Sequence, residues 1–289
     1  MSHPTTCKLQ LSQKESVADL YRKYGHSDSA HSFESMFMWK DDMDLELYTQ
    51  PDLYSARCMS EPFNWFFPVG EKNAKIKFIE ELAKEPSLSL SYMTKEDKTF
   101  LEERFPGLFD ITEEPSESEY IFDRDTIENL PGSSFSKSRG YIRRLIESYE
   151  IETVSLEDID IRDVITINNI WSSHKQEYTG SIDGNATLNS INHMSDLGLT
   201  GIVLIMEGSP CAVCAGFPLN EHTMDCCIQK ATQGMQGLNY YLRQEYAKSQ
   251  PASITTFNWE EDLGIEGLRQ AKTLMHPSDM ITMYTGKKI

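Results

Sequence analysis

Residues 201–217, GIVLIMEGSPCAVCAGF, contain two apolar runs separated by a short polar turn. The first run, GIVLIM, has the length and composition of a buried strand. The second run, CAVCAGF, follows the turn sequence EGSP and is expected to pair back onto the first as a hairpin. Residues 223–229 supply a third apolar run. The sequence therefore predicts a three-stranded meander in this part of the chain.

Helical patterns lie on both sides of the meander. Apolar residues recur at helical spacing in residues 139–150 and again from about residue 156 to 171, and the polar stretch at 179–190 is predicted to be a loop. The elements predicted after the meander are a glycine-bearing loop at 231–237, a helix at 238–248, a strand at 253–258, a helix at 263–275 and a strand at 280–284. Three strands followed by alternating helices and strands are typical of the GNAT acyltransferase fold, although other mixed α/β sheets share this order.

The first half of the chain follows a looser version of the same order. Its predicted elements are strands at 53–58 and 63–67, a helix at 74–83, a strand at 88–92, a helix at 96–104 and a strand at 119–122. We therefore predict an α/β fold with mixed sheets, built from tandem duplicated GNAT-like domains at residues 1–130 and 131–289. The second domain is the candidate catalytic half. The acidic stretch at 110–119, DITEEPSESE, is predicted to be a solvated surface loop.

The composition indicates a globular protein, because 39% of the 289 residues are hydrophobic and 25% are charged. No apolar run approaches the roughly 18 residues that span a bilayer. The first ten residues, MSHPTTCKLQ, lack the apolar core of a signal peptide. We therefore expect a cytoplasmic protein without a transmembrane segment.

The charge balance restricts the partners. With 27 basic and 45 acidic residues, the net charge is −18 and the pI is about 4.8. Such a surface repels phosphate backbones and anionic lipids, so we expect no DNA partner. Contact with tRNA or a membrane would require a local basic patch. The densest cluster is Lys137, Arg139, Arg143 and Arg144, which is either a solvated helix face or a landing site for phosphate groups.

Four of the six cysteines form the pattern C-x2-C-x11-C-C, at Cys211, Cys214, Cys226 and Cys227. This spacing invites comparison with zinc sites. Adjacent residues of a strand point to opposite faces, so Cys226 and Cys227 could not both reach one metal without a bulge. Both pairs also lie in apolar runs, where free cysteine packs as a small hydrophobic residue. We therefore expect no metal site.

A cluster of carboxylates lies where a predicted strand is followed by a helix, in the segment NWEEDLGIEGLRQAK that ends at Lys272. Asp262 could cap the free N–H groups of the helix. Alternatively, Glu260 or Glu261 faces a cleft and accepts a proton or binds an ammonium group. Helical spacing places Arg269 and Lys272 on the exposed side of this helix.

This segment is similar to the N-x-E-x-D-L-G-x-x-G-L-R-x-A-K signature of the phosphatidylglycerol lysyltransferase C-terminal domain family. Three other stretches resemble the same family in the family's order: HSFESMFMWK at 31–40, YIFDRDTIENLPGSSFSKSRGYIRRL at 120–145, and IQKA at 228–231. Together the four matches extend over nearly the whole chain. The sequence thus resembles a stand-alone soluble member of this family.

The resemblance implies tandem GNAT-like domains and transfer of an aminoacyl group from aminoacyl-tRNA, in characterised members to a lipid hydroxyl. It implies two candidate partners, the acceptor end of aminoacyl-tRNA and a lipid headgroup at a membrane surface. The transmembrane part of many family members has no counterpart in this sequence, so the acceptor is expected to be a lipid or another small molecule.

The glycine-bearing loop bears on the acyl donor. Acyl-CoA-dependent GNAT enzymes usually hold the pyrophosphate on a [Q/R]-x-x-G-x-[G/A] loop that opens a helix. Here Gly234 and Gly237 are present, but the residues three positions before them are Ala231 and Gly234. This difference favours another donor, and we expect no bound cofactor. A glycine pair before a helix is also found in ordinary flexible turns.

Eight side chains are expected to form the site. The predicted catalytic residues are Glu260, Glu261 and Lys230, and the predicted substrate-binding residues are Lys137, Arg139, Arg143, Arg269 and Lys272. Lys230 would stabilise an oxyanion, and Arg139 would contact a phosphate or an oxyanion. Two alternatives to aminoacyl transfer stay open: an acyl-CoA-dependent N-acyltransferase acting on a small cationic amine, and a non-catalytic binding module.

Overall fold

The computed structural model describes residues 4–60, 63–175 and 184–289. The chain forms two compact units: unit 1 comprises Met1–Tyr120 and Glu260–Ile289, and unit 2 comprises Ile121–Trp259. The sequence prediction placed a single boundary at residue 130. In the structure the chain first leaves unit 1 within a strand, and it returns to unit 1 for its last 30 residues.

Helices and strands alternate along the described chain. The elements of the first segment are β1 (Cys7–Lys8), α1 (Lys14–Tyr24), α2 (Phe33–Trp39), β2 (Leu45–Gln50), β3 (Leu53–Cys58), β4 (Asn64–Phe66), β5 (Val69–Gly70), α3 (Lys72–Leu82), β6 (Ser89–Met93), α4 (Lys95–Arg104) and β7 (Phe109–Glu113). The chain passes into unit 2 within β8 (Glu119–Asp123). The further elements of unit 2 are α5 (Arg124–Asn129), α6 (Ser136–Ser148), β9 (Ile151–Ser155), α7 (Ile161–Lys175), α8 (Gly184–Asn192), α9 (Met194–Leu197), β10 (Thr200–Met206), β11 (Ser209–Gly216), β12 (Thr223–Asp225), β13 (Ile228–Ala231), α10 (Leu238–Ser249) and β14 (Thr256–Asn258). The returning segment contains α11 (Glu266–Thr273), β15 (Asp279–Ile281) and β16 (Tyr284–Lys288).

Unit 1 is organised around one mixed sheet with the strand order β1-β2-β3-β4-β6-β16-β7, and β5 pairs with β3. Strands β4 and β6 are parallel. Strand β16 lies between β6 and β7 and is antiparallel to both, with Gly286 opposite Leu90 on one side and Ile111 on the other. The returning segment therefore completes the interior of this sheet, which explains why it belongs to unit 1.

The core of unit 1 lies between this sheet and its helices. Its buried members come from β3 to β6, α3 and α4, and they include Leu53, Trp65, Phe67, Phe78, Ile79 and Leu90. Helix α4 begins at a capping box, in which Thr94 Oγ1 accepts from Asp97 N at 3.3 Å and Asp97 Oδ2 accepts from Thr94 N at 3.2 Å. This reciprocal cap satisfies donors that would otherwise lack partners at the start of the helix.

Strand β7 corrects one prediction for unit 1. Residues 110–113, expected in a solvated loop, form a strand in which Asp110 is opposite Lys287. The prediction was also wrong for Glu119, which is buried at the start of β8. An acidic side chain can be buried when backbone N–H groups supply its partners, as those of Ser29 and Ala30 do for Glu119.

Unit 2 contains an antiparallel sheet with the order β13-β11-β10-β9. The predicted hairpin at 201–217 is confirmed, because β10 and β11 pair along their length with Ile202 opposite Cys214. A bulge interrupts their register between Leu204 and Ile205. Helix α10 packs on β10 and β11 through the buried side chains of Leu242 and Tyr246.

The predicted third strand of the meander was wrong in one respect, since residues 223–229 divide between two sheets. Strand β12 pairs in parallel with β14, which is antiparallel to β8, whereas β13 pairs with β11. The break falls at Cys226, whose N–H donates to Asn258 O at 2.8 Å. The two sheets of unit 2 therefore separate between β13 and β14.

The predicted loop at 179–190 was also wrong in part. Residues 184–192 form helix α8, and residues 179–183 lie outside the described part of the chain. The helix is polar in composition, but Ala186, Thr187 and Ser190 are buried. Ser190 Oγ donates to Ala186 O at 2.7 Å, which satisfies the buried hydroxyl within the helix.

Candidate functional site

The loop before α11 is fixed by a buried carboxylate. Asp262 is fully buried and accepts hydrogen bonds from Tyr120 Oη at 2.7 Å, Arg269 Nε at 2.8 Å and Gly264 N at 2.9 Å. Burial alone would raise the pKa of Asp262, but the hydrogen bonds from Arg269 and Tyr120 outweigh burial and lower it. Asp262 does not cap the helix as predicted, because α11 begins only at Glu266, after the N-cap Ile265.

Lys272 is buried, whereas helical spacing had placed it on the exposed side of α11. Its ammonium group donates to the backbone oxygen of Glu260 at 3.1 Å and also to that of Glu261. Glu260 itself has a φ of 53°, a conformation that costs free energy for a residue other than glycine. Lys272 thus holds a strained segment in place. Arg269 and Lys272 both make hydrogen bonds within unit 1, and their contact with substrate stays a prediction.

Glu261 lines a cavity of about 200 Å³ that is formed within unit 1. Most of its wall is apolar and comes from α2, β2, β4 and β6. The side chains that matter most for its chemistry are Met36, Trp39, Phe66, Tyr92, Glu261 and Leu263. Among the described residues, no lysine, arginine or histidine lines the cavity. Glu261 supplies the one carboxyl group that the described residues contribute to its lining.

The acidic groups around this cavity have perturbed pKa values. Burial raises the pKa of Glu261, although the nearby Lys272 charge opposes the shift. Burial, together with the charges of Glu114 and Glu261, raises the pKa of Glu117 to about 7. The pKa of Tyr92 is raised well above its ordinary value, first by burial and then by the charges of Glu117 and Glu261. Glu261, Glu117 and Tyr92 are therefore ionisable groups close to one another whose pKa values are raised by burial and by neighbouring negative charges. Such clusters are found at many functional sites.

A buried glutamate supports another wall of the cavity. Glu119 accepts from Ser29 N at 2.9 and 3.0 Å through its two oxygens and from Ala30 N at 3.3 Å. Ser29 and Ala30 both line the cavity. Ser29 Oγ also lies 3.4 Å from Glu260 Oε1. The sequence analysis missed Glu119 because its backbone partners lie about 90 positions earlier in the chain.

In unit 2, Lys230 is buried on β13 opposite Val213. Its Nζ lies 3.5 Å from the centroid of the Trp171 ring, within the range of a cation–π interaction. Trp171 was predicted only as part of the apolar stripe of a helix. A desolvated ammonium group beside an aromatic face is a stronger hydrogen-bond donor than one in water, because the local dielectric is low.

The separation between β13 and β14 is bridged by side chains. Gln229 Oε1 accepts from Trp259 Nε1 at 2.9 Å and from Arg243 Nε at 2.8 Å. Burial lowers the pKa of Arg243. Arg243 also lies over the Trp259 ring, with its Cζ 5.5 Å from the ring centroid. The gap between the two sheets of unit 2 is therefore occupied by a hydrogen-bonded group of this chain.

The predicted basic cluster lies on α6. Lys137, Arg139, Arg143 and Arg144 are exposed, and Tyr141 lies between Lys137 and Arg144 with cation-to-centroid distances of 5.6 and 5.0 Å. Arg139 Nη1 donates to Gly132 O at 2.8 Å and also to Leu130 O. Arg139 therefore stabilises the loop before α6.

The glycine-bearing loop is tightly packed at one of its two glycines. Gly237 has a φ of 95°, and a Cβ atom there would lie 2.8 Å from the backbone carbon and oxygen of Tyr141. Gly234 has a φ of 86° with nothing within 4 Å of such an atom. Gly237 thus permits a close approach of the start of α10 to α6, while Gly234 serves a turn.

The cysteines form no disulfide, and no metal-binding group is found among the described residues. Cys211, Cys214 and Cys226 are buried. Burial raises the pKa of Cys226 well above its ordinary value, and the neighbouring Cys214 raises it further. The Cys226 thiol is therefore protonated and poorly nucleophilic.

The eight predicted site residues divide between the two units. Unit 1 contains Glu260, Glu261, Arg269 and Lys272, and unit 2 contains Lys137, Arg139, Arg143 and Lys230. Within unit 1 the structure brings Glu260, Glu261 and Lys272 together. Within unit 2 the basic residues of α6 lie on one helix, and Lys230 lies on β13.

The fold is shared with several solved structures. A conserved protein of unknown function from Bacteroides thetaiotaomicron has 24% identity and a TM-score of 0.89, with 98% of this chain and 99% of that chain covered. L-PGS from Bacillus licheniformis has 14% identity and a TM-score of 0.68, with 98% and 93% covered. A tandem GNAT protein from the clavulanic acid biosynthesis pathway has 10% identity and a TM-score of 0.51, with 98% of each chain covered. The chain is thus a mixed α/β protein with the tandem GNAT-like fold, as predicted.

The family model of the phosphatidylglycerol lysyltransferase C-terminal region matches residues 21–286. The chain therefore belongs to this family, which confirms the resemblance seen in the sequence. Membership supports an acyltransferase of the lysylphosphatidylglycerol synthase type. No curated protein sequence matches the chain. In the described part of the chain, no helix combines the length and apolar character needed to cross a membrane.

Proposed function

We propose that the protein transfers an aminoacyl group from aminoacyl-tRNA to the hydroxyl or amine of a lipid or another small acceptor. The observation that carries this proposal is the cavity of unit 1, where the Glu261 carboxyl group lies among apolar and aromatic side chains. An aminoacyl ester carries an ammonium group and no carboxylate. Such a group matches a cavity with one acidic side chain and no basic one.

The transfer needs no oxidant or cofactor. The acceptor oxygen or nitrogen attacks the carbonyl carbon of the aminoacyl ester, and the bond from that carbon to the ribose oxygen breaks. The proton lost by the acceptor goes to the ribose oxygen, so atoms and charges balance. The ester is already activated, and positioning together with stabilisation of the oxyanion supplies most of the rate enhancement.

Two kinds of side chain are assigned to this chemistry. Glu261, with Glu260 beside it, binds the ammonium group or accepts the acceptor's proton, because its carboxyl group lines the cavity and burial raises its pKa. Lys230 stabilises the oxyanion, because its ammonium group is buried beside Trp171.

The exposed face of α6 is the proposed contact for the tRNA acceptor end. It combines Lys137, Arg143 and Arg144 with the ring of Tyr141, in a chain whose net charge is −18. Basic side chains neutralise backbone phosphates, and an aromatic ring stacks on an unpaired base. Arg139, which the sequence assigned to phosphate, is proposed to support this face by holding the preceding loop.

Acyl-CoA is not the proposed donor. In the loop at 231–237, neither Gly234 nor Gly237 has a Gln or Arg three positions before it, as the pyrophosphate-binding pattern requires. In unit 2 the gap between β13 and β14 is filled by Gln229, which accepts hydrogen bonds from Arg243 and Trp259. An acyl chain entering this gap would have to break those bonds.

The proposal is tested by incubating the purified protein with a labelled pool of aminoacyl-tRNAs and three acceptor sets: phospholipid vesicles, peptides and small amines. We expect label to leave tRNA and appear in one acceptor fraction. Glu261→Gln and Lys230→Met should each reduce transfer by about tenfold or more, which corresponds to the loss of one charged hydrogen bond.

Two controls sharpen this test. Glu266→Gln changes an exposed glutamate of α11 that accepts a hydrogen bond from Gln270, and it should leave transfer unchanged. Acetyl-CoA at millimolar concentration should not raise the melting temperature. Absence of discharge from every tRNA, or a clear shift with acetyl-CoA, would contradict the proposal.

A further inference from the structure

The cavity of unit 1 has the size of one amino acid. Its volume of about 200 Å³ is below the roughly 300–1,000 Å³ typical of pockets for drug-sized ligands. Met36, Trp39 and Phe66 present apolar surface on one part of its wall, and Leu263 lines it near the loop that precedes α11. The occupant that fits these dimensions is a small molecule with an apolar body.

The charge of the cavity restricts the occupant further. Glu261 is its only lining carboxyl group, and no lysine, arginine or histidine from the described residues lines it. A primary ammonium group is favoured by Glu261 and by the rings of Trp39, Phe66 and Tyr92. The nearby Lys272 ammonium group does not line the cavity and donates to the backbone oxygens of Glu260 and Glu261. A free carboxylate would therefore lie beside Glu261 without a cation in the described lining, so an unmodified amino acid is disfavoured.

The backbone around the cavity is strained. Three residues other than glycine at or beside its wall have left-handed φ values: Tyr92 at 54°, Glu260 at 53° and Leu263 at 53°. Each such residue costs on the order of 1 kcal/mol or more, and residues of this kind concentrate at ligand clamps. Two of the three flank Glu261 in the sequence, so the strain lies where the carboxyl group is positioned.

The wall is also held rigidly before any ligand arrives. Glu119 binds the N–H groups of Ser29 and Ala30, and Lys272 binds the carbonyl oxygens of Glu260 and Glu261. These contacts use buried charged groups, which form strong hydrogen bonds at low dielectric. A site arranged in this way loses little conformational freedom when it binds.

We propose that this cavity binds the aminoacyl group itself, as an amino acid with an apolar side chain and an esterified or amidated carboxyl group. The ammonium group lies at Glu261, and the side chain lies against Met36, Trp39 and Phe66. This inference rests on the proposed function and names its donor class: aminoacyl-tRNAs with apolar residues, in preference to lysyl-tRNA. A lysyl side chain would place a second ammonium group against the apolar wall, where the described part of the chain offers no second lining carboxyl group.

Calorimetry with four small ligands tests the inference on the full chain. The ligands are leucinamide, free leucine, 4-methylpentanamide, which lacks the amino group, and lysinamide. We expect leucinamide to bind and the other three to bind about tenfold more weakly or worse, because each loses or adds one charged group in the cavity. Equal binding of leucinamide and 4-methylpentanamide, stronger binding of lysinamide, or no binding of leucinamide would overturn the inference.

Fluorescence locates the binding. Trp39 lines the cavity, whereas Trp65, Trp171 and Trp259 do not. Leucinamide should change the emission of the native protein, and Trp39→Phe should abolish that change. Glu261→Gln should weaken leucinamide about tenfold or more, whereas Glu266→Gln should not. An unchanged fluorescence response in Trp39→Phe would show that the ligand binds elsewhere.

The transfer assay separates this inference from the proposed function. Transfer from charged tRNA without binding of leucinamide would remove the inference and leave the function standing. Binding of leucinamide at Trp39 without transfer from any tRNA would contradict the proposed function and leave the inferred binding site standing.

Discussion

Glu117 carries an oxygen, Oε2, that is buried without a hydrogen-bond partner among the described residues. Burial is the main cause that raises its pKa from 4.5 to about 7. A carboxyl group with a raised pKa binds its proton more tightly in the folded protein than in the unfolded chain. The free energy of unfolding therefore falls as the pH rises from about 4.5 to about 7, and the loss is complete above pH 7.

We expect Glu117→Gln to remove this pH dependence, because glutamine has the same size and no charge. The pKa shift of Glu117 corresponds to roughly 3 kcal/mol in the free energy of unfolding, and partial exposure of the side chain reduces this value. Glu117→Gln should therefore raise the free energy of unfolding at pH 8 by about 1–2 kcal/mol. Urea unfolding at pH 5 and pH 8 measures the effect.

The matched control for Glu117 is Glu113→Gln, an exposed glutamate on β7. In this variant the free energy of unfolding should differ between pH 5 and pH 8 by the same amount as in the native protein. If Glu117→Gln retains the native pH dependence, burial of this carboxyl is not its source.

For single residues, the sequence indicates candidate site residues more readily than it indicates their contacts in the folded protein. The carboxylates before α11 were found because they follow a strand and precede a helix. The burial of Lys272 was missed, because helical spacing describes only the helix and not the loop that folds over it. Glu117 and Glu119 were missed because an acidic run is typical of solvated loops, and their environment depends on residues distant in sequence.

Among the elements, the contact between α6 and α10 depends on Gly237. We expect Gly237→Ala to destabilise the protein by about 2–4 kcal/mol, because alanine adds a left-handed strain of about 1–2 kcal/mol and a clash with the Tyr141 backbone. Thermal unfolding measures the loss.

Gly234→Ala serves as the comparison for Gly237→Ala. Both glycines have positive φ values, but a Cβ atom at Gly234 meets no neighbour within 4 Å. Its cost should be only about 1 kcal/mol, from the backbone conformation. Equal effects of the two substitutions would mean that the close approach to α6 contributes nothing.

The division of residues 223–231 between two sheets could not be predicted from local pattern. Apolar residues occur in both parts of the run, and their pattern alone indicates one strand. Its division is determined by the partners of each part: β12 pairs with β14, and β13 pairs with β11. Strand pairing across long sequence separations leaves no signal in the run itself, whereas the hairpin of β10 and β11 is local and was predicted.

For the whole molecule, the order of elements was sufficient to predict a tandem fold. The return of residues 260–289 to unit 1 was not predicted. Strand β16 resembles any closing strand in its composition, and its partners β6 and β7 lie more than 170 positions earlier. Only the pairing of β16 with β6 and β7 shows that unit 1 includes a segment that follows unit 2 in the sequence.

This arrangement predicts different behaviour for the two units as fragments. Residues 121–259 form a continuous segment with its own sheets and helices, so the fragment should fold alone. A fragment of residues 1–120 lacks β16, which leaves β6 and β7 without their shared neighbour, and it should not unfold cooperatively. Circular dichroism during thermal unfolding measures both.

Adding a peptide of residues 260–289 to the 1–120 fragment provides the control for this prediction. Cooperative unfolding should return with the peptide. Cooperative unfolding of the 1–120 fragment without the peptide would mean that β16 is dispensable for unit 1.

The position of β16 between β6 and β7 also has a consequence during synthesis on the ribosome. Translation at roughly 5–20 residues per second delays β16 by about 10–30 s after β7 has emerged. Throughout that interval the nascent chain exposes two strand edges that could join other chains. Unit 2 is synthesised in this interval, so it can fold before unit 1 is complete. Slow translation through residues 121–259 would lengthen the exposure, and a chaperone that covers the edges of β6 and β7 would be most useful in that interval.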